Sequence, residues 1–258
     1  MVYLTQDYEP DLFGGSSDFL SAQSTYAPPT PVFAVINTKI LFDYFDDQQH
    51  KFDREYYFDP KLNSVLRSKL PEDGRQPPKK KQILIYGRPW HARNAFGLIE
   101  GGLREWRSRY PHAQDWEILS AGSTHQDIDL GGGVLIKSVG ALPIDEYAQV
   151  LRDSSVGVSL MVSPHPSYPP FEMAHFGLWV ITNNFANKNL TALHDNFLSP
   201  NNCTPSTIAD LVITACERVA SDSMSGYQGQ SRMPSYTDQS PMFPFMEELV
   251  ADLQPHLT

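Results

Sequence analysis

The chain has 258 residues, of which 41% are hydrophobic, and this composition is ample for the core of one large domain or two small ones. Its formal net charge of −10 argues against nucleic acid as a main partner, because phosphate binding needs a positive face. No stretch approaches the roughly 18 apolar residues of a membrane span, and the amino terminus lacks the pattern of a signal peptide. We therefore expect a cytoplasmic protein, with peripheral attachment to the inner membrane as the alternative.

Residues 1–49 have the pattern of a partial α/β unit. Strand patterns in VYLTQDYEP and PVFAVIN alternate with helix patterns in SSDFLSAQSTY and TKILFDYFDDQ. Two strands and two helices cannot cover both faces of a parallel sheet, so this unit is expected to pack against another part or to be the remnant of an acceptor domain. The polar residues 50–77 predict an interdomain linker, and the following run of lysines in PPKKKQ is interpreted as solvated.

A regular alternation of strands and helices occupies residues 78–221. The strand patterns are QILIYG, WEILSAG, LGGGVLIKSVG, VGVSLMVS and LWVITNN, and helical patterns lie between and after them. The apolar runs are short and continuous, as in strands that are covered on both faces. This order predicts an α/β fold with a doubly wound, Rossmann-like parallel sheet. The remaining residues, 222–258, predict a polar tail that ends in a docking helix at MFPFMEELVADLQ.

The loop GRPWHARN, which follows the strand pattern QILIYG, is the first candidate site. Ligands of open parallel sheets bind at the carboxyl ends of the strands. Arg88 and Arg93 flank a turn that opens a helix after Gly87, and a helix N-terminus with two arginines can bind a diphosphate. An arginine pair on a solvated loop explains the same pattern equally well. Neither a Walker loop nor a GxGxxG fingerprint is present, so P-loop and nicotinamide sites have no support.

Two further loops follow predicted strands. In SVGALPIDEY, Gly140 and Leu142 form a turn that can flank a planar base, and the earlier Lys137 is either directed at phosphate or snorkels to solvent. In SPHPSYPPFEMAHFG, four prolines precede a helix that carries Glu172 in its first turn. Glu172 either complements the helix dipole or accepts hydrogen bonds from ligand hydroxyls.

Taken together, these segments resemble the donor domain of retaining GT-B glycosyltransferases. GRPWHARNAFGLIE, SVGALPIDEYAQVLRDSSVGVSLMVS and PSYPPFEMAHFGLWVITNN follow the order and the approximate spacing of that family. HPSYPPFEM, YLTQDYEP and YYFDP are similar to segments of bacterial rhamnosyltransferases of surface-polysaccharide and S-layer glycan assembly. The resemblance covers most of residues 1 to about 221. It implies transfer of rhamnose or a related deoxysugar from a dTDP-linked nucleotide-sugar donor to a glycan acceptor, without a metal ion or other cofactor.

The resemblance also implies roles for individual residues. Arg88 and Glu172 would be catalytic, Arg88 through the diphosphate and Glu172 through the donor ribose. The other implied donor-binding residues are Gly87, Arg93 and Lys137 near the diphosphate, Gly140 and Leu142 beside the base, and His165, Ser167 and Tyr168 beside the transferred sugar. The last three are invoked because Pro164 stands where the wider family has a sugar-facing glutamate.

Two further departures concern the glycine-arginine loop, where Arg93 would replace the family's usual lysine, and the acceptor domain, of which residues 1–49 would be only a part. We therefore expect a truncated product, or an acceptor half supplied by a separate chain or a membrane-associated glycan assembly complex. A non-catalytic nucleotide-sugar-binding module is the main alternative function, and a sugar-nucleotide epimerase of the same fold is a weaker one.

Overall fold

The computed structural model describes residues 1–71 and 75–256. Within these ranges, none of the helices is long and apolar enough to cross a membrane. The chain forms two sheets, one of three strands and one of seven, with helices packed against them.

The smaller sheet has three parallel strands in the order β1–β2–β3. Its elements are β1 (Val2–Thr5), α1 (Ser17–Ser24), β2 (Phe33–Asn37), α2 (Lys39–Asp47), β3 (Arg54–Phe58) and α3 (Ser64–Ser68). Every residue of β2 is buried, because its continuous apolar run lies between two neighbouring strands and is covered on both faces.

The larger sheet has seven strands in the order β10–β9–β8–β4–β5–β7–β6. Its elements are β4 (Gln82–Gly87), α4 (Phe96–Arg109), β5 (Glu117–Gly122), β6 (Ile128–Asp129), β7 (Leu135–Gly140), α5 (Ile144–Asp153), β8 (Val156–Val158), α6 (Pro169–His175), β9 (Trp179–Ile181), β10 (Phe197–Leu198) and α7 (Pro205–Ser221). All neighbouring pairs are parallel except β6 with β7. The sequence analysis did not predict the two-residue strands β6 and β10, which are too short for a periodic pattern.

Helices cover both faces of the larger sheet. Alternate residues of β4 point to opposite faces: Ile83 and Ile85 pack with Trp106 of α4 in one core, and Leu84 packs with Phe171 of α6 in the other. The predicted α/β fold with a doubly wound, mostly parallel sheet is therefore confirmed.

The polar segment 50–77 is not only a connection, as the sequence analysis had it. It contains β3, whose residues pair in register with β2, and α3, whose Leu66 is buried in a core that includes Leu84. Lys79, in the lysine run interpreted as solvated, is also buried. Its ammonium donates to the carbonyls of Leu151 and Phe176, at 2.8 and 2.6 Å. Both carbonyls lie at helix ends, which leave such groups unpaired within the helix.

The last helix, α8 (Met246–Leu253), packs on the smaller sheet, as the expected docking helix would. Leu249 is buried against Phe33, Val35 and Phe58. At the same interface, the Tyr56 hydroxyl donates to Asp252 Oδ2 at 2.6 Å.

Candidate functional site

A cavity of about 200 Å³ lies where the carboxyl end of β4 meets the smaller sheet. Five residues named by the sequence analysis line it: Arg88, Arg93, His165, Ser167 and Tyr168. Pro169, one of the four prolines noted in the sequence, lines it too, whereas the remaining lining residues were not predicted: Gln6, Asp7, Asn37, Tyr86, Asn94 and Met161. The structure thus brings the arginine loop and the proline-rich segment to one place, and it adds side chains of the smaller sheet.

The arginine loop follows a tight contact between β4 and β5. A Cβ atom on Gly87 would lie 1.8 Å from the Ser120 hydroxyl oxygen, so a larger residue at this strand end would displace that hydroxyl, which lies 2.7 Å from His125 Nε2. Beyond it, Arg88 Nη2 lies 2.6 Å from His91 Nε2, and Arg88 Nη1 donates to the Tyr86 hydroxyl at 3.4 Å. These contacts keep the half-buried guanidinium of Arg88 at the cavity wall.

Arg93 joins the two sheets through Asp7. The Arg93 guanidinium donates to the buried Asp7 carboxylate, which also accepts from the Ser163 hydroxyl and from the Tyr8 backbone N–H. Asp7 lies two residues after the end of β1, and Ser163 begins the proline-rich segment. The carboxylate therefore ties three loops together at the cavity and orients one of its two arginines.

The proline-rich segment places a buried histidine in the cavity. Ser167 has a φ of +68°, which a residue with a side chain rarely adopts, and its backbone N–H donates to His165 Nδ1 at 3.0 Å. Burial lowers the pKa of His165 to about 4, although the nearby Asp7 carboxylate opposes this shift. The imidazole is therefore neutral at pH 7.

Tyr168 and Asn37 make a second contact between the sheets. The Asn37 side-chain amide lies 2.5 Å from the Tyr168 hydroxyl, and the two residues are 131 positions apart in the chain. Asn37 ends β2, so its side chain lies at the carboxyl edge of the smaller sheet.

Glu172 lies one helical turn beyond Tyr168 but does not line the cavity. Its Oε2 accepts a hydrogen bond from the Tyr147 hydroxyl of α5 at 2.9 Å. Burial raises the pKa of Glu172, while the hydrogen bond from Tyr147 lowers it. Gly140 and Leu142 do not line the cavity either: Leu142 packs in the core that contains α5, and Gly140 ends β7 with a φ of +64°.

The structure does not bring Lys137 to the cavity, which corrects its expected role at the diphosphate. Lys137 lies in the middle of β7, and its ammonium is 3.0 Å from Glu117 Oε1 at the start of β5. Because parallel strands start at one edge of the sheet and end at the other, this contact faces away from the carboxyl edge.

Asn183, which lies at the end of the strand pattern LWVITNN, supports the cavity instead of lining it. Its Oδ1 accepts from the Met161 N–H at 2.7 Å, and its Nδ2 donates to the Met161 carbonyl at 3.0 Å. The buried Lys188 ammonium donates to the same carbonyl. These bonds hold the chain after β8, from which Met161 and His165 reach the cavity.

Three of the lining residues that the sequence analysis missed are buried and polar: Asp7 carries a carboxylate, and Asn37 and Asn94 carry side-chain amides. The signals were present but weak: Asp7 and Asn37 are polar residues at the carboxyl ends of strand patterns, and Asn94 closes the arginine loop. No local pattern indicates that the two sheets meet at this point. The donor-binding roles that the resemblance implies for the site residues stay predictions.

Comparisons with known proteins give a family and a fold. A family model described as "WsaF, C-terminal domain" matches residues 81–212, and one described as "WsaF, N-terminal domain" matches residues 1–39. The O-antigen biosynthesis protein RfbC of Myxococcus xanthus is 29% identical over 183 residues, which are 70% of this chain and 14% of that protein. The chain thus spans only a small part of the length of this curated relative.

Among solved structures, WaaG, a glycosyltransferase involved in lipopolysaccharide biosynthesis, aligns with a TM-score of 0.63 and 14% identity, over 98% of this chain and 74% of its own. Sucrose-phosphate synthase from Thermosynechococcus elongatus aligns with a TM-score of 0.65 and 14% identity, over 99% and 68%. Alr3699/HepE of Anabaena, solved with UDP and glucose, has a TM-score of 0.61 and 13% identity, over 99% and 71%. Identities this low show the fold alone. By the family model that matches more than half of its residues, the chain belongs to the WsaF family, and it has the GT-B fold.

Proposed function

We propose that this chain forms the donor-binding part of a GT-B glycosyltransferase that acts in polysaccharide biosynthesis. The observation that carries the proposal is the placement of Arg88 and Arg93 on one cavity at the carboxyl end of β4. Family membership supports it, as do the O-antigen and lipopolysaccharide biosynthesis roles in the names of RfbC and WaaG. Activity of the whole protein is part of the proposal, because the chain spans 14% of the length of RfbC.

The proposed reaction needs charge stabilisation at the leaving group. The bond between the anomeric carbon and the β-phosphate oxygen breaks, and an acceptor hydroxyl oxygen forms the new glycosidic bond. The proton of that hydroxyl passes to the departing diphosphate. Arg88, Arg93 and the N-terminus of α4 lie where they can stabilise the negative charge that develops on the diphosphate. The proposal therefore involves no divalent metal.

The finer identity of the substrates rests on the proline-rich motif. We propose a dTDP-linked deoxysugar such as rhamnose as the donor, with retention at the anomeric carbon, and a growing glycan as the acceptor. Glu172 would bind the donor ribose, and Gly140 and Leu142 would flank the base. Gln6, Asp7 and Asn37 line the same cavity from the smaller sheet, so the acceptor is expected to approach from this side. A separate acceptor-domain chain or membrane-associated complex as partner remains part of this proposal.

Calorimetry with dTDP, UDP and GDP tests the donor site directly. We expect one of these nucleotides to bind, and Arg88→Ala to weaken its binding. If none of the three binds to the folded chain, the donor-site proposal is wrong. A transfer or hydrolysis assay with the matching nucleotide sugars then tests the activity, since binding without either reaction would contradict a complete transferase in this chain.

A further inference from the structure

Lys188 is a buried lysine with few partners for its amine. The residue is 1% exposed, although it lies in the loop that follows β9. A protonated lysine amine has three N–H donors, and among the described residues the Met161 carbonyl is the only acceptor that Lys188 reaches. Buried lysines are normally paired with a carboxylate, yet Lys188 makes no ion pair in this part of the chain. Its charge is therefore open to compensation by a further anion.

The loop after β9 places this amine directly behind the cavity wall. Phe185 and Lys188 close a tight turn through two backbone hydrogen bonds, within which Ala186 has a φ of +46°. Lys188 does not line the cavity itself, but Met161, whose carbonyl accepts its hydrogen bond, does. The amine and the cavity are thus separated by a single residue. Because the intervening region is buried, the charge of Lys188 can act on a ligand without touching it.

The charged and titratable groups around Lys188 come from three other segments. Asp7, after β1, favours a proton on the amine, and the amine in turn disfavours a charge on His165, which precedes α6. Arg93, after β4, already pairs with the Asp7 carboxylate. When Lys188 is protonated, one carboxylate therefore faces two cations, and the group carries excess positive charge.

This excess charge makes the protonation of Lys188 sensitive to a bound anion. Burial lowers the pKa of Lys188 to about 7, although the Asp7 carboxylate opposes the shift. Near pH 7 the amine is accordingly divided between its neutral and its charged form. An anion bound beside Arg93 favours the charged form, since a nearby negative charge raises the pKa of an amine.

We propose that Lys188 takes up a proton when the nucleotide-sugar donor binds, and that the resulting ammonium compensates the charge of the donor diphosphate from behind the cavity wall. This inference rests on the proposed function, because the anion is the diphosphate assigned to Arg88 and Arg93. The proton passes from solvent to Lys188 Nζ, and no bond of the ligand changes. Donor affinity therefore falls as the pH rises above 7, since the amine then has to be protonated at a lower proton concentration.

Calorimetry in two buffers of different ionisation enthalpy counts the protons that are taken up on binding. The ligands are dTDP-rhamnose, UDP-glucose and GDP-mannose, whose diphosphates are esterified at both ends and gain no proton near pH 7. For the ligand that binds, we expect uptake of about half a proton at pH 8 and about a fourfold loss of affinity between pH 7 and 8.5. A tenfold preference of the ligand for the charged amine produces effects of about this size.

Two substitutions at Lys188 test the assignment. Lys188→Met, which has no titratable group, should bind the ligand without proton uptake and with an affinity that no longer depends on Lys188 protonation. Lys188→Arg is charged throughout this pH range and should also bind without proton uptake. Retained binding shows that each variant is folded.

The matched control is Lys79→Met, the same substitution at the other buried lysine described above. Burial lowers the pKa of Lys79 to about 7 as well, but its ammonium donates to carbonyls at the ends of two helices and does not line the cavity. Proton uptake in Lys79→Met should equal that of the unmodified chain. A merely structural effect of losing a buried amine would instead change both lysine variants.

The outcomes distinguish the two proposals. If none of the three nucleotide sugars binds to the unmodified chain, the proposed function fails and this inference fails with it. If one binds without proton uptake, or if the uptake persists in Lys188→Met because another group such as His91 or His165 takes the proton, the inference alone is overturned. Loss of the uptake in Lys79→Met would overturn it too. Where Lys188→Met binds too weakly to measure, Lys188→Arg decides: binding with proton uptake overturns the inference, and binding without it supports the inference.

Discussion

Arg93 donates a hydrogen bond to Asp7 from a position 86 residues further along the chain, and this bond joins the two sheets at the rim of the cavity. The Asp7 side chain is 6% exposed and that of Arg93 is 33% exposed. Burying this ion pair fixes its geometry but also removes the Asp7 carboxylate from water. Removing one partner leaves the other charge unpaired, so the free energy of unfolding falls by more than the intact pair adds to it.

We expect Asp7→Ala to lower the free energy of unfolding by about 2 kcal/mol, because Arg93, Ser163 and the Tyr8 N–H lose their shared acceptor. Urea unfolding measures this change. Asp46→Ala removes an exposed ion pair with Lys51 and should have a much smaller effect. Equal effects of the two substitutions would show that Asp7 does not hold the sheets together.

Arg88 and Lys137 provide a direct test of where the diphosphate binds. Arg88→Ala is expected to weaken nucleotide binding about tenfold or more, since it removes a charge-assisted donor from the cavity. Lys137→Ala should change the affinity less than about twofold, because Lys137 pairs with Glu117 away from the carboxyl edge. Calorimetry on both variants measures the contrast, and a large loss in Lys137→Ala would contradict the arrangement described above.

The Tyr147 hydroxyl is expected to tune the acidity of Glu172. Tyr147→Phe removes the hydrogen bond that lowers the pKa of Glu172 but leaves the burial that raises it. The pKa of Glu172 should therefore rise further above its ordinary value. Carbon-13 NMR titration of labelled glutamate side chains measures the shift. Tyr57→Phe, at an exposed tyrosine of β3, is the control, and an unchanged Glu172 titration in Tyr147→Phe would contradict the assigned contact.

Lys79 is expected to stabilise the ends of two helices. Lys79→Met keeps much of the aliphatic volume but leaves the carbonyls of Leu151 and Phe176 without their donor, so we expect a loss of about 2 kcal/mol in the free energy of unfolding. Burial lowers the pKa of Lys79 to about 7, and this cost of burying the charge reduces the net effect. Lys80→Met, which removes an exposed pair with Asp153, should have a much smaller effect in the same urea experiment.

Two buried histidines predict a decrease in stability at mildly acidic pH. Burial lowers the pKa values of His165 and His194 to about 4, from the ordinary value of 6.5. Between pH 6.5 and 4 the unfolded chain therefore binds protons that the folded chain does not, so the free energy of unfolding falls as the pH falls through this range.

Urea unfolding at several pH values between 7 and 4.5 measures this dependence. His194→Gln should make the decrease shallower, since it removes one of the groups that bind a proton in the unfolded chain but not in the folded chain. His112→Gln, at an exposed position, should have a smaller effect. A pH dependence in His194→Gln that equals that of the unmodified chain would show that His194 is not buried as a neutral group.

Much of the fold and one wall of the cavity could be predicted from the sequence. Continuous apolar runs predict buried parallel strands, and helical spacing identifies α4 and α5, because both patterns depend only on residues that are neighbours in the chain. The same local order places Arg88 and Arg93 after β4 and places His165 before α6.

The second wall of the cavity was decided by tertiary structure. Asp7 and Asn37 meet Arg93 and Tyr168 across 86 and 131 residues, and no local pattern encodes such a pairing. For the same reason the sequence analysis did not identify β3, which lies in a polar run and whose edge position tolerates exposed side chains. It also did not identify Lys79, which lies in a run of lysines, as buried. Local sequence determined which segments form strands and helices, because each must bury its own apolar face. Only the packing of the two sheets decided which polar groups share the cavity, since that depends on contacts between residues far apart in the chain.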